Sequence, residues 1–158
     1  MGHFTHALVA KASVAGAICQ AYPQLSLIRA PRGFVLIPVD ADFIDSVVEA
    51  KPPQISDAFM LLTGPFREFL RELSRLGAIA YIETEYHGGA GGQGAAVYAN
   101  GEIVMEPQWS ASGEINRALK LLGVRRRLLG DQFSALGLGK FRCNEDLIAA
   151  LTEESAPN

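Results

Sequence analysis

A chain of 158 residues, 49% of them hydrophobic and 20% charged, has the length and balance of one globular domain, residues 1-158, with enough apolar material for its own core. That excludes a disordered or low-complexity chain, and the net charge of -3 gives no general attraction to phosphate backbones or anionic lipid, although a local patch can behave differently from the whole. Nucleic acid and membrane are therefore not expected as partners. Cys19 and Cys143 stand far apart with no further Cys or His at ligand spacing, so no disulfide framework and no zinc site is expected, and a reducing, cytoplasmic setting fits best.

In chain order, His3 and His6 read as disordered N-terminal residues, and the apolar run 7–21 as a first core helix stopped by Tyr22-Pro23. Lys11 inside that run, and the lack of Lys or Arg before it, argue against a signal peptide; secretion stays as the alternative. Residues 25–29 and 34–39 read as strands around the turn chemistry of Pro31-Arg32-Gly33, with Pro38 placing the second near an edge. Asp40 or Asp42 caps a helix running to about residue 50, which Lys51-Pro52-Pro53 ends. The next helix starts at Gly64-Pro65 and stops at Gly77, with Phe66, Phe69, Leu70, Leu73 and Leu76 as its buried stripe.

Residues 78–85 read as a strand, and 95–99 with 102–105 as a pair joined by Asn100-Gly101, a two-residue hairpin signal. Ser112 caps a helix carrying Ile115, Ala118, Leu119 and Leu122 and ended by Gly123. Residues 125–142 read as a loop with one short helical turn, and Asn144 caps a last helix to residue 151. The order predicts an α+β domain: an antiparallel or mixed β-sheet with helices packed on one face.

The segment 83–94 asks for a function. Gly89-Ala90-Gly91-Gly92-Gln93-Gly94 matches a dinucleotide fingerprint in letters, yet the residues after it read as strand where that fingerprint needs a helix, and no P-loop lysine follows. Strand alternation puts Tyr81, Glu83, Glu85 and His87 on one face, and two carboxylates with an imidazole can bind metal or divide acid and base roles. The plainer reading is a solvated acidic face beside a glycine loop at 88–94, which allows close backbone approach. Arg125-Arg126-Arg127 reads as a solvated run complementing a helix C-terminus, and Trp109 as either an interface anchor or a lid on the core. No serine or cysteine sits in a nucleophile signature, so no covalent catalysis, metal or cofactor is expected.

The run from Ala80 through Glu83, Glu85, His87 and Gly89, with Gly91, Gln93, Val97, Asn100-Gly101 and then Asn116, Leu119, Leu122 and Gly123, resembles small bacterial proteins of the polymorphic-toxin immunity type over residues 77–146. The resemblance implies a non-catalytic cytoplasmic binding protein that neutralises a cognate toxin by direct contact. In that reading Glu83, Glu85, Tyr86, His87 and Gln93 form the partner-binding surface. The competing expectation is a small enzyme or ligand-binding domain using Glu83, Glu85 and His87 beside the glycine loop.

Overall fold

The structure, a computed structural model, describes residues 2–48, 59, 61–88, 90–126 and 128–155. Its strands are β1 (His3–Lys11), β2 (Ile28–Ala30), β3 (Phe34–Pro38), β4 (Ile79–His87), β5 (Ala90–Ala99) and β6 (Glu102–Ser110). Its helices are α1 (Ala12–Ala21), α2 (Ala41–Val47), α3 (Gly64–Leu73), α4 (Glu114–Leu122), α5 (Gln132–Ala135) and α6 (Asn144–Ser155). The strands form one sheet in the order β2-β3-β1-β4-β5-β6, every pair antiparallel, so the α+β class holds.

The N-terminus departs most from expectation. His3 and His6 are not disordered: they lie in β1, which takes the first residues of the expected helix and runs between β3 and β4. Ala7, Leu8, Val9 and Ala10 are all fully buried, because a central strand covered on both faces carries a continuous apolar run instead of an alternating one. A short run of that kind has no period that separates strand from helix.

The helices likewise divide between the two faces instead of sharing one. Ala80, Ile82, Ala95 and Val97 pack with Ile115, Ala118, Leu119 and Leu122 of α4 and Leu147 of α6. Ile79, Tyr81, Ala96 and Tyr98 pack on the other side with Ile18 of α1 and Phe66, Leu70 and Leu73 of α3. The middles of β1, β4 and β5 are apolar on both sides, so each face needs a cover. The expected stripe of α3 is buried at Phe66, Leu70 and Leu73, whereas Leu76 lies past the helix end and is 39% exposed.

Several local devices follow the sequence. Asn100 and Gly101 both adopt positive φ, 53° and 79°, as a type I′ hairpin turn requires. Asp40 accepts a hydrogen bond from Phe43 N–H at the start of α2, and the expected end of that helix at residues 50–53 lies outside the described residues. Two caps differ. Gly113, not Ser112, precedes α4, and the Asn144 side chain bridges His6 N–H and Val39 C=O, tying α6 to the sheet.

Candidate functional site

Register brings the two faces of the β4–β5 end into contrast. On the α1–α3 side, Glu83 stands opposite His6 on β1 and Gly94 on β5, while Glu85 stands opposite Phe4 and Gly92. Trp109 of β6 lies over this glycine floor: a Cβ on Gly94 would fall 2.5 Å from the Phe59 ring and 2.6 Å from the indole, and one on Gly92 2.6 Å from the Trp109 nitrogen. The glycines are therefore strand residues that make room for rings, and the expected loop at 88–94 is corrected to a turn at Gly88 followed by β5, with Gly89 outside the described residues.

Glu83 is also corrected. It is 1% exposed, so it belongs to the interior and not to a solvated acidic face. Its carboxylate accepts a hydrogen bond from Leu61 N–H at 3.1 Å, and His6 Nε2 lies 3.6 Å from the same oxygen. Burial, with the Glu83 charge beside it, pushes the Tyr81 phenol well above its ordinary 10, so the phenol stays protonated. Burial likewise lowers His6, opposed by the charge of Glu85. Sequence alternation placed Glu83 on the right face; the cover over that face comes from Phe59, Leu61 and Leu62, residues distant in sequence.

Above Glu83 the same face opens to solvent. Glu85 is half-buried and His87 exposed, and the His87 ring meets Phe4 edge-on with centroids 4.4 Å apart. Half-buried Trp109 flanks Glu85 across the glycine strand, and is held against Phe59 at 5.5 Å. This end of the face thus gathers a carboxylate, two aromatic rings and an imidazole on paired strands. Phe4 and Trp109 were the residues that sequence alone left unassigned to it, because Phe4 reads as tail and Trp109 lies beyond the expected end of its strand.

Tyr86 and Gln93 face the opposite way. Gln93 Oε1 accepts Ile115 N–H in the first turn of α4, Gln93 Nε2 donates to the Tyr86 hydroxyl, and Tyr86 donates to Ala111 C=O at 2.6 Å. The pair thus caps a helix whose own N-cap, Gly113, has no side chain to do it. Beside them a cavity of about 300 Å³ is lined by His3, Thr84, Tyr86, Gln93 and Phe133 among others. Thr84 Oγ1 lies 2.6 Å from His3 Nδ1 and accepts Thr5 N–H at 2.9 Å. Burial lowers His3 from its ordinary value, so its neutral ring can accept a hydrogen bond from the Thr84 hydroxyl at Nδ1.

Strand β5 occupies the position where the dinucleotide fingerprint requires a helix, so the geometry of that fingerprint is not formed. Among the described residues, no group of three or more His, Cys, Asp or Glu is placed to hold a metal ion, and no helix is long and apolar enough to cross a membrane. No protein-family model matches the chain, and neither a curated protein nor a solved structure matches it.

Proposed function

We propose that this chain is a non-catalytic binding protein of the immunity type, neutralising a toxin in the cytoplasm by covering part of its surface. The observation that carries the reading is the Glu85 carboxylate of β4, with exposed His87 on the same strand, half-buried Phe4 beside it on β1 and half-buried Trp109 beyond the glycines of β5 on β6. Aromatic side chains on a rigid backbone lose little entropy on binding, and a carboxylate among them orients a basic partner and speeds its approach. Glu83 supports that wall from beneath, and Tyr86 with Gln93 hold α4, so the contact set contracts to Phe4, Glu85, His87 and Trp109. The two free cysteines accord with a reducing compartment.

The test is capture of a toxin domain by the intact chain, followed by rescue of growth when both are produced together. Glu85→Lys with His87→Ala is expected to abolish rescue while leaving the unfolding midpoint in place, because both side chains reach solvent. Rescue undiminished in that variant moves the contact elsewhere. A second reading has its own observation, the His3–Thr84 pair at 2.6 Å on the wall of a cavity, which suits a small polar ligand. Thr84→Val separates the two: it removes ligand-induced stabilisation if the cavity is the site and spares toxin capture if the sheet face is.

A further inference from the structure

Leu128 and Leu129, between α4 and α5, are 101% and 90% exposed, whereas the other exposed large apolar side chains among the described residues range from 37% to 51%. Neither leucine joins either core. The described residues on either side are nevertheless anchored. Val124 is buried at 3%, and Asp131 caps α5 by accepting Ser134 N–H while Asn116 of α4 donates to its other oxygen at 2.9 Å. The leucine pair thus stands exposed between two anchored positions, Val124 and Asp131. Beside it, Arg117, Lys120, Arg125 and Arg126 line an open groove of about 900 Å³. Among the described residues, Arg117 reaches Glu114 at 4.0 Å, but Lys120, Arg125 and Arg126 make no ion pair, and Asp131, a carboxylate lining the groove, is engaged by Ser134 and Asn116.

We propose that this loop docks the protein on an anionic lipid surface, Leu128 and Leu129 entering the interface while Lys120, Arg125 and Arg126 meet the headgroup charge. Two leucines on a projecting loop offer far less than the roughly 800 Å² per partner of an ordinary protein interface, and they stand out where a protein hot spot is usually recessed and ringed. A bilayer needs no matched surface: apolar insertion and diffuse attraction of cations to acidic headgroups act together. The net charge of -3 does not prevent this, because at physiological salt charges beyond about 8 Å are largely screened and the groove's own cations dominate its field. The inference is independent of the toxin-binding surface, which lies on the other face of the sheet.

The experiment is flotation of the intact chain with vesicles of phosphatidylcholine alone and of phosphatidylcholine with phosphatidylglycerol. Binding is expected to the anionic vesicles, weaker in high salt, and reduced by about tenfold or more in Leu128→Asp with Leu129→Asp and in Arg125→Glu with Arg126→Glu. All four positions are exposed, so the unfolding midpoints should match the parent. Leu128→Ser with Leu129→Ser repeats the apolar arm with no added charge. Absence of binding to anionic vesicles overturns the proposal, as does binding that both pairs of substitutions leave intact. Loss of toxin capture in the leucine variants, without any vesicle binding by the parent, assigns the loop to a protein instead.

Discussion

The Glu83 carboxylate lies under Leu61 and beside His6 and Tyr81, and this burial reverses what its position on an alternating strand suggests. Glu83→Lys would put an ammonium into a site built to accept hydrogen bonds, and should cost about 3–5 kcal/mol in urea unfolding. Glu85→Lys, two residues on and open to water, should stay within about 0.5 kcal/mol of the parent. Equal losses in the two variants would return Glu83 to the surface. The histidines make a second prediction at this scale. Burial holds both His3 and His6 below the ordinary 6.5, so the native state resists protonation while the unfolded chain accepts it. Their contribution is therefore intact above about pH 6.5 and lost as pH falls through that value toward the lowered native ones. Unfolding free energy followed from pH 8 to pH 5 should decline at about that point, and His3→Asn with His6→Asn should flatten the decline; a parent curve level across this range would show that neither ring is held neutral.

Among the elements, β5 and α1 use glycine for opposite reasons. Gly94 leaves space for Phe59 and Trp109, so Gly94→Ala forces the rings off the sheet and should destabilise by about 1–3 kcal/mol. Gly16 lies exposed inside α1 with nothing within 4 Å of an added Cβ, and Gly16→Ala should stabilise by about 0.5–1 kcal/mol by restricting the unfolded chain. Opposite signs in one thermal series test both assignments. In α3 the core stripe is decided by Leu73, which is 1% exposed; Leu73→Ala should cost about 2–5 kcal/mol, and a loss under about 1 would remove α3 from the core.

At the scale of the molecule, β1 joins two halves of the sheet, pairing with β3 on one side and β4 on the other. A chain lacking residues 2–11 would expose two unpaired edges and both faces of the apolar core, and should lose cooperative unfolding and dispersed amide resonances. Retention of a cooperative transition would mean that β2–β3 and β4–β6 pack without it. The same placement bears on the apolar run at 7–21: its first residues are the middle of the sheet and its remainder is α1, so both parts are used in the fold.

Residues close in sequence settled what local chemistry can settle. The Asn100-Gly101 turn, the amphipathic faces of α3 and α4, and the strand that replaces a nucleotide helix at 95–99 all follow from backbone preference and periodicity acting over a few residues. Tertiary structure decided the rest. Ala7 to Ala10 has no period to read, and becomes a strand because β3 and β4 supply hydrogen-bond partners on both sides. Glu83 and Glu85 share a face in any strand, yet one is interior and the other reaches water because Phe59 and Leu61 cover only the first. Gln93 caps α4, Phe4 lies opposite Glu85 and Trp109 covers the glycines of β5, through contacts between segments far apart in the chain. Such contacts depend on which surfaces remain to be buried after the local elements form, and no short stretch of sequence contains that information.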